Sequence, residues 1–294
     1  HPEKGCWLNL CDPTEGEIEF VANELGFDLD WVRAALDEEE RARIEWDDGA
    51  TLIIVDVPRV EAEGRSFVYS TIPLGILFND EAIVTVTLNE SPIINDFIKG
   101  RVKSFYTFKK TRFILQLLYK NATRFLMYLK QIDKASTAVQ NELHKSMKNK
   151  ELIQLLSLEK SLVYFSTSLT SNEMVLDKMM KLGYIKKYQD DVDLLEDVIV
   201  ENKQAIEMCN IYRDILSGTM DAFASVISNN LNIVMKMLTA ITIIISIPTL
   251  IASIWGMNVP LPLSGNRYGF WIILGVSAAL SAIIAYIMKK KKML

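Results

Sequence analysis

The sequence is poor in the residues that build catalytic and redox sites. It has three cysteines, Cys6, Cys11 and Cys209, and two histidines, His1 and His144. An odd, scattered cysteine set excludes a disulfide framework. With so few histidines, and no second cysteine pair beside Cys6 and Cys11, nothing has zinc-site spacing. No Gly-rich phosphate loop and no Ser-His-Asp arrangement stands out, so an enzyme is the least supported class and no cofactor is implied. The opening "HPEKGCW" lacks the apolar run of a signal peptide. The net charge of −5 names no partner by itself.

Glycine and proline are missing from 101–182. That absence removes turns and leaves room for long helices. Two runs, "KKTRFILQLLYKNATRFLMYLKQIDKASTAVQNELHK" and "NKELIQLLSLEKSLVYFSTSLTSNEMVLDKMMK", carry apolar residues every three or four positions, and Asn149 separates them weakly. An antiparallel helical hairpin over 107–189 is the simplest arrangement. Residues 1–106 read differently. "GCWLNL", "TLIIVDVPRV", "RSFVYSTIPLGILF" and "EAIVTVTL" are strand-like, whereas "PTEGEIEFVANELG", "DLDWVRAALDEEE" and "PIINDFIKGR" are helical. A small α/β domain is expected there.

Charge is unevenly spread. Residues 11–63 hold 17 Asp/Glu against 4 Lys/Arg, and residues 101–187 hold 17 Lys/Arg against 6 Asp/Glu. Two solvated faces of opposite sign account for this, as would packing of one block on the other, within or between subunits. The basic residues are scattered along helices without a binding motif, so no nucleic acid is expected.

From Asp190 to Ile254 the only glycine is Gly218. Leu195, Val198, Asn202, Ala205, Cys209, Tyr212, Leu216, Thr219, Phe223 and Val226 recur at alternating spacings of three and four, a heptad-like seam. A continuous helix here would be roughly 95 Å long, too long for a small globular domain. The expectation is a stalk over 190–237 whose seam meets partners. Charge is then absent from Leu238–Ile254 and from Phe270–Met288, each long enough to cross a membrane. Lys236 precedes the first span, "KKKK" at 289–292 follows the second, and only Arg267 lies between them. The positive-inside rule places both termini in the cytoplasm of a multi-pass cell-membrane protein, with a first span over 238–256, an outer loop over 257–269, a second span over 270–288 and a basic tail over 289–294. Trp255, Tyr268 and Trp271 stand where interfacial aromatics belong, and Pro248 should bend the first span.

The first span has a polar stripe. Asn232, Met235, Thr239, Thr242, Ser246, Thr249, Ser253 and Gly256 follow one another in steps of 3, 4, 3, 4, 3, 4 and 3. Hydroxyls in membrane helices bond their own backbone or glue neighbours. Alternatively, several copies around one axis line a water-filled path, with Leu238 and Met235 as an apolar constriction near its inner end. The stripe ends at Gly256, Met257 and Asn258. Helix C-termini carry partial negative charge, and a ring of them with the amide oxygens of Asn258 favours a cation. Uncharged acceptors suit Mg²⁺, which is commonly bound through its own water. Gly256 is expected to let the helix stop and backbones approach closely.

"WGMN" at 255–258, placed before a terminal span, resembles the signature of the CorA family of magnesium and cobalt transporters. So do the short outer loop, "SNNLNIVMKMLTAITIIISIPTL" ahead of the motif, and the Lys-rich tail. The resemblance implies an α+β membrane protein assembled as a funnel-shaped homopentamer. Each subunit would have a cytoplasmic α/β domain, a helical hairpin and a stalk helix running into the first of two transmembrane helices. It implies a channel for Mg²⁺, with Co²⁺ or Ni²⁺ as further cargo, whose partners are its own copies, membrane lipid and the ion. Gly256, Met257 and Asn258 would form the outer selectivity ring, Asn258 holding the hydrated ion, and Asn232, Leu238, Ser246 and Thr249 match pore-lining positions. Cytoplasmic Mg²⁺ would close the channel by binding acidic residues between subunits, with Asp197 at one such position. Three departures stand out. The loop "VPLPLSGNRYG" lacks acidic residues and carries Arg267, Ser246 stands where a bulky Met often narrows the pore, and the 101–187 hairpin is basic. Two alternatives remain: a ZntB-like zinc transporter, against which Met257 argues because that branch usually carries Gly-Ile-Asn, and a membrane-tethered scaffold that conducts nothing.

Overall fold

The computed structural model describes residues 3–63, 66–146, 149–182, 188–259 and 266–291. It divides into two compact units, His1–Met220 and Asp221–Leu294.

The first unit is built on a five-stranded sheet of order β1-β5-β4-β3-β2. The strands are β1 (Cys6–Cys11), β2 (Arg43–Asp47), β3 (Ala50–Glu63), β4 (Ser66–Phe78) and β5 (Ala82–Thr87). β1 runs parallel to β5, and all other pairs are antiparallel. Alternation sorts the side chains of β3 onto two faces. Leu52 and Ile54 meet Ile18, Val21, Leu25 and Val32 from the helices α1 (Glu15–Leu25) and α2 (Leu29–Ala34). Ile53, Val55 and Val57 join a core with α3 (Pro92–Ile98), α4 (Lys110–Ser146), α5 (Asn149–Leu182) and the start of α6 (Gln189–Trp255). Trp7, Phe97, Phe105 and Phe113 form a group of edge-to-face and tilted rings in that core, with ring centroids 4.7–6.5 Å apart.

Local chemistry explains the ends of α1. Glu17 reaches back to accept from the Thr14 N–H at 2.8 Å, and Gly26 closes the helix in the left-handed region at φ 68°. The run "DLDWVRAALDEEE" makes a shorter helix than its pattern implied. Asp28 caps it by accepting from Asp30 N–H at 2.8 Å, but α2 stops at Ala34. Asp37 and three glutamates follow, and carboxylates oppose the negative end of a helix dipole.

β3 and β4 continue past their outer neighbours. β2 pairs only with Ala50–Ile54, and β5 only with Leu74–Phe78. Pro58 and Pro73 lie in this extension, where a strand edge needs no donor. The freed edge of β3 is closed by amide side chains. Asn172 Oδ1 accepts from Asp56 N–H at 2.8 Å, while Asn172 Nδ2 and Asn121 Nδ2 both donate to Asp56 O at 2.8 Å. Asn172 thereby offers the strand the pairing that another peptide would.

From Leu195 to Leu216 the seam of α6 is largely covered within the chain, so that stretch needs no partner, whereas Val226 further along is exposed. Leu195, Val198, Asn202, Ala205, Cys209 and Leu216 are buried. Asn202 Nδ2 donates to Leu169 O and Cys209 Sγ to Leu162 O, both at 3.1 Å and both on α5. Spacing in threes and fours identifies a buried face but not whose helix buries it.

The second unit holds the rest of α6 and α7 (Gly269–Lys290). Both helices have an 18-residue apolar window of which only 6% is buried. Both are long and apolar enough to cross a membrane. α6 stays helical through Pro248.

Candidate functional site

The stripe lies on the second unit's portion of α6. Asn232, Met235, Leu238, Thr239, Thr242, Ser246, Thr249 and Ser253 are all exposed in the single chain. Four of its hydroxyls turn inward to their own helix. Thr239 donates to Met235 O at 2.8 Å, Thr242 to Leu238 O at 2.9 Å, Ser246 to Ile243 O at 2.8 Å and Thr249 to Ile245 O at 3.0 Å. Each hydroxyl has spent its only hydrogen and keeps acceptor lone pairs free. The line of side chains is therefore a line of oxygen acceptors between apolar residues.

α6 ends at Trp255. Gly256 N–H still donates to Ala252 O at 2.9 Å, and Met257 N–H donates to Ile254 O at 3.3 Å. The helix thus stops just before Gly256, whose backbone is not left-handed. Met257 and Asn258 are exposed beyond it. Residues 260–265 of the loop lie outside the described residues; Arg267 is exposed in the turn before α7. Lys289 and Lys290 occupy the last turn of α7, where cations suit the helix dipole, and Lys292 is not described.

Asp197 is exposed on α6 in the first unit. Among the described residues no group of three or more His, Cys, Asp or Glu side chains comes together to hold a metal. One titratable residue went unnoticed in the sequence. Burial pushes Asp56 up to about 6, against the opposing pull of a hydrogen bond with Ser168. Its only sequence signal is a lone carboxylate inside "TLIIVDVPRV". It belongs to β3, not to the stripe.

A family model described as CorA-like Mg²⁺ transporter protein matches residues 2–290. The chain is similar to the cobalt/magnesium transport protein CorA of Methanocaldococcus jannaschii. It is 28% identical over 299 residues, which cover 97% of this chain and 90% of that protein. It is also similar to the magnesium transport protein CorA of Campylobacter jejuni, with 24% identity over 308 residues covering 99% and 91%. The complete structure of the CorA magnesium transporter from M. jannaschii matches with a TM-score of 0.85 at 26% identity, over 96% of this chain and 89% of that one.

Proposed function

The chain belongs to the CorA-like Mg²⁺ transporter family, and on that premise we propose that it admits Mg²⁺, and with it Co²⁺ or Ni²⁺, into the cytoplasm as a homopentameric channel. The observation that carries the reading is the line of acceptor oxygens on α6, from Thr239 to Thr249, leading to Gly256-Met257-Asn258. One helix encloses nothing. Five copies around an axis would turn each oxygen into a ring and Asn258 into a collar of amides at the outer mouth.

Mg²⁺ gives up its water reluctantly, so the lining need only accept hydrogen bonds from the hydration shell. Neutral acceptors hold the hydrated ion loosely enough to release it. With both termini cytoplasmic, as the lysines flanking the spans favour, the inside-negative potential drives a divalent cation inward at about 4–5 kcal/mol per 100 mV. Leu238 and Met235 supply the apolar constriction. Cytoplasmic Mg²⁺ at Asp197, completed by acidic groups of a neighbouring copy, closes the path.

Mg²⁺ uptake into reconstituted vesicles tests this. Each lost acceptor is worth roughly 1 kcal/mol and a ring multiplies the loss, so Asn258→Ala should cut flux at least about tenfold while the solubilised assembly keeps its mass. Unchanged flux would defeat the proposal and leave the non-conducting scaffold standing. Competition by Zn²⁺ in the same vesicles separates a magnesium channel from a zinc transporter.

A further inference from the structure

Three asparagines from three helices meet at one point of the first unit. Asn121 of α4, Asn172 of α5 and Asn202 of α6 line a small cavity beside Val55 of β3, lined otherwise by Leu118, Ala122, Leu176 and Val198. All three amides are more than nine-tenths buried. Asn121 uses Nδ2 on Asp56 O, and its Oδ1 accepts no hydrogen bond from the protein. Flipping that amide would set two oxygens 2.8 Å apart, so Oδ1 is fixed as the free acceptor. Asn172 Nδ2 donates one of its two hydrogens to Asp56 O, and Asn202 Nδ2 donates to Leu169 O.

The void has a volume of about 10 Å³. That is about the size of one water, which needs two to four polar partners. An apolar void stays dry, but three amides among the lining give a water the polar partners it needs. We propose that this junction is a binding site for a single ordered water. The water donates one hydrogen to Asn121 Oδ1 and the other to the amide oxygen of Asn202. It accepts the second hydrogen of Asn172 Nδ2. It thus ties α6 to α4, α5 and β3 at one point, and α6 is the helix that continues into the second unit.

Two measurements on the full chain test the site. In a map good enough to show other buried waters, a peak should lie within hydrogen-bond distance of Asn121 Oδ1; a clean void there would overturn the proposal. Paired substitutions give the second readout. Val55 and Val57 share a strand and a face and are both fully buried, but only Val55 lines the void. Val→Thr keeps the shape and adds a hydroxyl that needs a partner. Val57→Thr should lower the thermal midpoint by about 5 °C, and Val55→Thr, which can bond to the water, by no more than about 2 °C. Equal losses would mean that the junction is dry.

Discussion

Asp56 shows how one residue can work against the fold that holds it. Its backbone closes the edge of β3 through Asn121 and Asn172, while burial pushes its carboxyl up to about 6. The folded chain then holds that proton more tightly than the unfolded chain does. Between about pH 4 and 6 the unfolded state binds fewer protons, so stability falls as pH rises through this window and levels off above it. The cost at neutral pH is on the order of 2–3 kcal/mol. Asp56→Asn should therefore raise the thermal midpoint by about 5 °C at pH 7.5, with the gain shrinking from pH 6 to pH 4. A gain independent of pH would show that the charge is not the cause. The sequence displayed the carboxylate but not its burial. In "TLIIVDVPRV" a polar residue at an even position reads as solvent-facing, and the residues that meet it, Asn121 and Asn172, lie 65 and 116 residues away along the chain. For Cys209 the seam spacing marked a buried face but not its partner. Burial pushes its thiol up to about 12, and its bond to Leu162 O depends on which helix lies opposite.

Elements were more legible than their contacts. Pro13, Thr14 and Gly26 announced α1, and freedom from glycine and proline announced α4 and α5, because capping and backbone entropy act locally. The strands followed from their β-branched runs. What covers the α6 seam is not local information. The same three-and-four spacing serves an intrachain and an intersubunit face, and α5 took the seam at Asn202 and Cys209 while Val226 stays exposed. Close approach was equally hidden at Gly75. A Cβ there would lie 2.7 Å from Ala35 Cβ, just after α2, and 3.6 Å from Val86 Cβ. Gly75→Ala should cost about 1–3 kcal/mol and lower the midpoint by several degrees. Ala35→Gly in the same chain should recover most of that loss; no recovery would place the strain elsewhere.

On the scale of the whole molecule, charge and its absence were the clearest signals. The uncharged spans, the lysines around them and the Gly-Met-Asn motif were readable because a membrane imposes composition directly. The acidic and basic blocks were less informative. The acidic block's ion pairs Arg33–Glu15, Arg43–Glu40 and Arg59–Glu38 are internal to that block. Arg267 is a whole-molecule matter, since every copy would contribute one positive charge near the outer mouth. A like-charged mouth lowers the local concentration of an incoming cation. Arg267→Glu should raise Mg²⁺ uptake about two- to threefold at low external Mg²⁺ and low salt, with no change at saturation. Equal uptake at every concentration would remove Arg267 from the ion's approach.

The inward-turned hydroxyls of Thr239, Thr242, Ser246 and Thr249 have one more consequence. A proton crosses a membrane by hopping along a chain in which each group both receives and passes on a hydrogen. Groups whose only hydrogen is committed to the helix backbone cannot take part in that relay. A lining of this kind would let the metal ion through without side chains that short-circuit the cell's proton gradient.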